Sequence, residues 1–258
     1  MSAGRGWLTA RMAEMQIALT TLTRLPAGRI SDPAPGMASA VWAFPLVGLL
    51  VGGIGALGYT LAYAAHVPPA LAGLAALAAG LLATGALHED GLADTADGLG
   101  GGRDRARKLA IMRDSHVGSY GMLALMLSLS TRGICIAAVG SPIAVTCALV
   151  AMAAASRTAM VIALFAMPAA RSDGLGQAAA NVDPARCAIA GVLGLAALTA
   201  LVSPWPIAAL AMTAVGCLAG WMAWRHVGGQ TGDVLGAIQQ TTEIAGWVVI
   251  VSWHTGSG

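Results

Sequence analysis

His88-Glu-Asp-Gly-Leu-Ala-Asp94-Thr-Ala-Asp97-Gly-Leu-Gly-Gly-Gly102-Arg-Asp-Arg-Ala-Arg-Lys108-Leu-Ala-Ile-Met-Arg113-Asp-Ser-His-Val-Gly-Ser-Tyr-Gly121 is a polar island in an apolar chain. The 258 residues carry 14 basic and 12 acidic side chains, and eleven of these charges fall inside the island. Over the whole chain 57% of residues are hydrophobic and 10% are charged, with mean hydropathy +0.74. Charged side chains make up about a quarter of a soluble domain. The composition therefore excludes an ordinary soluble enzyme. It predicts an all-α, polytopic integral membrane bundle in which residues 1–258 form one membrane-embedded domain.

Working outward from the island, a bilayer crossing needs about 20 apolar residues. Seven stretches qualify: 37–65, 69–87, 118–140, 142–167, 186–203, 205–224 and 234–253. The first is long enough to tilt or break at Pro45. Residues 8–25 read instead as an amphipathic helix lying in the interface, because Arg11, Glu14 and Arg24 interrupt the run. These charges and Arg5 also argue against a cleavable signal peptide. The Gly- and Ala-rich spans predict close helix packing through small residues. The four cysteines, Cys135, Cys147, Cys187 and Cys217, lie far apart in apolar segments and show no metal or disulfide spacing. They read as small buried apolar residues.

The connections before the first span and at 88–117, 168–185 and 225–233 carry the extramembrane arginines and the lysine. The alternate connections (His66-Val-Pro-Pro, Gly140-Ser-Pro, Ser203-Pro-Trp-Pro) and the tail His254–Gly258 carry none. The positive-inside rule then places the N-terminus, the 88–117 segment and the chemistry at the cytoplasmic face of the inner membrane, with the C-terminus outside.

Asp90, Asp94 and Asp97 fall at i, i+4 and i+7, along one face of a helix. Three carboxylates so close raise one another's pKa unless a cation sits among them. Hard oxygen ligands without His or Cys suit Mg²⁺, Mn²⁺ or Ca²⁺. The bland alternative is a helix-capping cluster. Glu89 lies off that face, either behind the ligands or simply exposed. The glycines at 100–102 and the cations that follow would suit a phosphate. Arg103 and Arg113 are the favoured contacts, beside Arg107 and Lys108, although such a run also orients membrane proteins. Lys108 and Asp104 would suit a surface ion pair.

Asp114-Ser115-His116-Val-Gly118-Ser-Tyr-Gly121 opens a span with two glycines, which permits backbone amides to point at an anion. Gly228-Gly-Gln230-Thr231-Gly-Asp233 begins the last span in the same way. There Asp233 would add a fourth carboxylate, or Thr231 or Asp233 would simply cap the helix. Arg132, Arg157 and Glu243 lie inside apolar spans, where each costs about 2.5–3.5 kcal/mol and normally faces a cavity or a partner. Arg132 would suit pairing with Glu243.

The strings His88–Gly98 and Ile111–Gly121 together resemble the cobalamin synthase family, also called adenosylcobinamide-GDP ribazoletransferase. The resemblance continues through Leu22-Thr-Arg-Leu-Pro26, Phe44-Pro-Leu-Val-Gly48, Ser156-Arg-Thr158 and Gly229-Gln-Thr-Gly-Asp-Val-Leu-Gly-Ala237. It covers nearly the whole chain. It implies a Mg²⁺-dependent transfer that joins adenosylcobinamide-GDP to α-ribazole, or its 5′-phosphate, with release of GMP. On that reading Asp90, Asp94 and Asp97 hold the metal. The basic run with Arg157 holds the diphosphate, and Ser115, Gln230, Thr231 and Asp233 also line the substrate. His88 and Asp114 are candidates for receiving the hydroxyl proton. The expected partners are these two substrates and membrane lipid, with a homo-oligomer also compatible and no nucleic acid.

Two other readings remain at this level. The Asp90-Gly91 start and clustered Asp suit a CDP-alcohol-type lipid phosphotransferase, although that family's further Ala-Arg and Gly-x₃-Asp-x₃-Asp pattern is missing. Intramembrane charges would also suit a transporter, but no inverted repeat is visible.

Overall fold

The computed structural model describes residues 2–30 and 32–256. The last two residues of the uncharged C-terminal tail lie outside these. Among the described residues there is no strand, only helices and one isolated bridge, Ala169 to Gln230. The helices are α1 (Ser2–Leu22), α2 (Met37–Ala40), α3 (Phe44–Ala64), α4 (Pro69–Thr84), α5 (Leu87–Gly101) and α6 (Arg105–Ile111). There follow α7 (Ser119–Val139), α8 (Pro142–Ala166), α9 (Gly174–Ala178), α10 (Pro184–Leu201), α11 (Trp205–Val227) and α12 (Gly232–Gly256). Pro45, Pro69, Pro142, Pro184 and Pro206 lie in first turns, where the missing N–H has no helical partner to lose. Gly85 and Gly228 end α4 and α11 in the left-handed conformation, as helix C-termini commonly do.

Six helices are long and apolar enough to cross a membrane, and a seventh crossing arises if α4 and α5 count as one bent span. The first of them is continuous from Met37 to Ala64 only through a 3₁₀ turn at Val41–Ala43, just ahead of Pro45. The expected span at 69–87 is shorter and bent. Its helix stops at Thr84, and α5 leaves at 89°. Gly85 (φ +66°) and Ala86 (φ +58°) make the corner. A left-handed alanine stores strain of order 1–3 kcal/mol, which persists only where the surroundings impose it. α5 carries four carboxylates along its length and packs against α7 and α12.

The bundle is graded from inside to outside. In α8, 72% of the span is buried, against 17% in α10. The α3–α8 contact depends on Gly48 and Gly52. A Cβ on Gly52 would stand 2.6 Å from the Leu149 carbonyl oxygen, so backbone packs on backbone as the small residues predicted. Two apolar clusters fill the interior, one around Phe44, Met160, Leu164 and Ile238, the other around Tyr59, Ile136, Met152 and Trp247. Polar residues separate them along two helices: Ser156 and Arg157 on α8, and Gln239, Gln240 and Glu243 on α12.

Two smaller expectations also change. In α1 the charge at Glu14 does not face water. It is 3% exposed and accepts hydrogen bonds and ion pairs from Trp42 (2.7 Å), Arg11 (2.8 Å) and Arg186 (3.1 Å). Apolar Trp7, Leu8 and Met12 are exposed instead. All four cysteines are free as expected, but Cys217 is exposed and only Cys135 is buried.

Candidate active site

Two glycines determine where the carboxylates meet. Where α5 crosses α12, a Cβ on Gly91 would stand 2.8 Å from the Asp233 carbonyl oxygen, and one on Gly236 3.1 Å from that of His88. Only hydrogen at both positions allows this approach. It brings Asp90 and Asp233 into one cleft, with His88, Leu87, Leu175 and Gly232 on its walls. Asp90 is exposed, and Asp94 and Asp233 are half-buried. Partial burial, reinforced by Asp90, Asp233 and Asp97, pushes the Asp94 carboxyl up to about 7. The opposing cation is Arg171, 3.3 Å from Asp233 and bonded to the Leu109 carbonyl at 3.0 Å. An all-oxygen donor set of carboxylates fits a hard divalent cation. Among the described residues no three such side chains stand at metal-binding separation.

Asp97 occupies a different position from its two helical companions. It is buried, and its two oxygens accept from the amides of Gly118 (2.7 Å) and Gly121 (2.9 Å) at the start of α7. The glycine-rich corner does present amides to an anion, as its sequence predicted. That anion is the chain's own carboxylate: Asp97 caps the start of α7 from a buried position, whereas Asp90 and Asp94 stay open to the cleft side.

The basic run also divides by residue. Arg103 and Arg107 are exposed. Lys108 is buried and lies 3.3 Å from His226 Nδ1, while Asp104 caps α6 by accepting from the Arg107 amide. The expected Asp104–Lys108 pair is therefore absent, because a one-turn cap competes better than a flexible ion pair. Arg113 makes a two-toothed ion pair with Asp173 at 2.5 and 2.6 Å. Arg105 ties the loops together through the carbonyls of Val227 and Ala170. Asp114 hydrogen-bonds the exposed His116 at 2.6 Å, which holds its carboxyl below the usual range. Ser115 is exposed beside it.

At the start of α12, Gln230 is fully buried and donates to the Gly176 carbonyl (2.9 Å). Its backbone pairs with Pro168 and Ala170. Thr231 caps the helix by accepting from the Val234 amide at 3.2 Å. These two residues fasten the 168–180 loop and the helix start, a structural task where substrate contact was expected.

Arg157 lies deep in the bundle, 2% exposed, and donates to the Ala153 carbonyl at 3.0 Å. Glu243 pairs with Arg132 (3.5 Å), as the sequence suggested. Arg132 also holds Glu89 at 2.9 Å, which ends the reading of Glu89 as an exposed group. Sequence reasoning did not single out Arg171, Gln239 or Gln240. For the two glutamines a signal existed: adjacent amides in an apolar span, one turn before Glu243.

The chain matches the family described as cobalamin-5-phosphate synthase over residues 14–251. It is 45% identical to the adenosylcobinamide-GDP ribazoletransferase of Bradyrhizobium diazoefficiens, covering 95% of each chain. The protein of that name from Mesorhizobium japonicum is 43% identical over 90% of each. The one from Chlorobaculum tepidum is 41% identical over 93% of this chain and 95% of its own. No solved structure matches. With a family match running through nearly all of its length, this chain belongs to the cobalamin-5-phosphate synthase family.

Proposed function

We propose that the protein is an adenosylcobinamide-GDP ribazoletransferase of the inner membrane, working at the cytoplasmic face with Mg²⁺ at the α5–α12 cleft. The observation that carries this reading is the glycine-mediated crossing that gathers Asp90, Asp94 and Asp233 beside Arg171. The names of relatives that align along nearly the whole chain support the choice of substrates.

In the reaction, a ribose hydroxyl of α-ribazole, or of its 5′-phosphate, attacks the phosphorus that bears cobinamide. A new P–O bond forms, the bond to the bridging oxygen breaks, and GMP leaves with that oxygen. Asp90, Asp94 and Asp233 would hold the cation, which supplies charge neutralisation for the diphosphate and the departing GMP. Asp97 holds the α5–α7 corner in place behind them. Arg103 and Arg107 are exposed for the substrate's phosphates, and Arg171 orients Asp233. His88, on the cleft wall, is the better placed acceptor for the hydroxyl proton. Asp114 is tied to the exposed His116, away from the cleft residues.

The positive-inside placement of the loops supports the orientation. The test is GMP release from adenosylcobinamide-GDP and α-ribazole by the detergent-purified chain, with and without EDTA. Release that EDTA abolishes and Mg²⁺ restores is expected; release indifferent to EDTA would remove the cation from the mechanism. Transfer to a lipid acceptor, or uptake into liposomes without GMP release, would replace the reading.

A further inference from the structure

Next to the cleft, and sharing His88 with it, the bundle holds a second, partly open space of about 50 Å³, bounded by a polar network on one part of its wall and by small and apolar residues on the rest. At the ~10–15 Å³ that one water needs, this is room for about three to five waters. Its walls carry His88, Glu89, Arg132, Arg157, Gln239, Gln240 and Glu243. The groups are cross-linked from four helices. Glu89 accepts from Arg132 (2.9 Å) and Gln240 (2.9 Å). Gln239 donates to Glu243 (2.6 Å) and to Ser156 (2.9 Å), and Ser128 donates to Gln240 (3.0 Å).

Four atoms in this network have no partner: His88 Nε2, Glu89 Oε2, Arg132 Nε and Arg157 Nε. Their residues are between 1% and 7% exposed. An unmet buried polar group costs about 1–3 kcal/mol, and more when charged. Arg157 is the extreme case, since a guanidinium carries five N–H donors and this one makes a single hydrogen bond, to Ala153. Two arginines face two glutamates, so the space needs neither a cation nor an anion. Small, polar and charge-balanced, it suits water.

We propose that this cavity is an ordered-water site, and that the hydrated network makes Glu89 and Arg132 positioning residues for the carboxylates. Water completes the four unmet atoms. Arg132 and Gln240 then hold Glu89 to α7 and α12, and because Glu89 precedes Asp90 in the first turn of α5, the network fixes the direction in which Asp90 and Asp94 project. The second half of this proposal rests on the reading of those carboxylates as a cation site.

Gly80 offers the test. It lines the cavity, and a Cβ there meets nothing within 4 Å. Gly80→Leu therefore extends into open space, with Gly80→Ala as its control, and Glu89→Gln keeps the side-chain shape while removing the charge. The readouts are Mn²⁺ binding by the purified chain, the Mg²⁺ concentration for half-maximal GMP release, the KM for adenosylcobinamide-GDP, and water positions in an experimental structure. Water is expected within hydrogen-bond distance of His88 Nε2 and Arg157 Nε. Gly80→Leu and Glu89→Gln should weaken Mn²⁺ binding and raise the Mg²⁺ requirement by about 10- to 100-fold, the usual effect of disturbing the groups behind a ligand. KM for adenosylcobinamide-GDP should change little, and Gly80→Ala should behave as the parent.

A dry cavity, or both variants binding Mn²⁺ like the parent, overturns the proposal. Should the chain release no GMP at all, the proposed function fails, while Mn²⁺ binding and the water positions still decide this inference. Should Gly80→Leu fail to fold, Glu89→Gln carries the decision.

Discussion

Glu89 and Asp90 are adjacent carboxylates in the first turn of one helix, yet they belong to different regions. Glu89 turns inward, 7% exposed, to Arg132 and Gln240. Asp90 is exposed on the cleft with Asp233, where like charges accumulate and Arg171 opposes them. The inner region is balanced in charge and heavily hydrogen-bonded; the outer one is unbalanced. A buried ion network in a bundle interior holds helices in register, while uncompensated carboxylates at a rim repel one another. One 100° step along α5 separates these two roles.

The comparison breaks most visibly at Arg132. Arg132→Ala would leave Glu89 and Glu243 buried without their cation, a loss of about 3–5 kcal/mol. Thermal unfolding in detergent should show a large fall, which neutralising both glutamates to Gln should partly reverse. Unchanged unfolding would mean that the inner network is not the bundle's support. Asp94→Ala should do the opposite. It should fold normally and lose several kcal/mol of transition-state stabilisation, about a hundredfold or more in GMP release. Full turnover by Asp94→Asn at ordinary Mg²⁺ would remove Asp94 from the cation site.

Asp97 sharpens the boundary between the regions. Asp97→Ala strips the Gly118 and Gly121 amides of their acceptor and should destabilise the protein by about 1–3 kcal/mol; a variant that loses activity at parental stability would return Asp97 to the ligands. The smallest effect is expected at Arg113, whose pair with Asp173 is exposed. Arg113→Ala should change stability by about 0.2–1 kcal/mol and leave the KM for adenosylcobinamide-GDP unchanged. A large rise in KM would show that Arg113 leaves Asp173 to bind phosphate.

The distribution of charge along the chain was sufficient to read the bundle, its helix boundaries to within a few residues, and the polar segment that forms α5 and α6. Hydropathy and proline placement act locally, so they survive in the linear order of residues. The Asp90–Asp94 spacing was legible for the same reason, since helical periodicity relates neighbours one turn apart. Tertiary structure alone decided the partners. Arg132 meets Glu89 across 43 positions and Gln240 meets it across 151. Asp97 reaches its amides across 21 and 24, and Asp233 joins Asp90 only through the crossing at Gly91 and Gly236. Such pairings depend on how closely helices approach and at what angle, here on glycines that admit backbone contact and on the 89° corner at Gly85–Ala86. One helix's own periodicity shows which side chains share a face; packing against its neighbours determines whether that face meets a cation, a helix end or water.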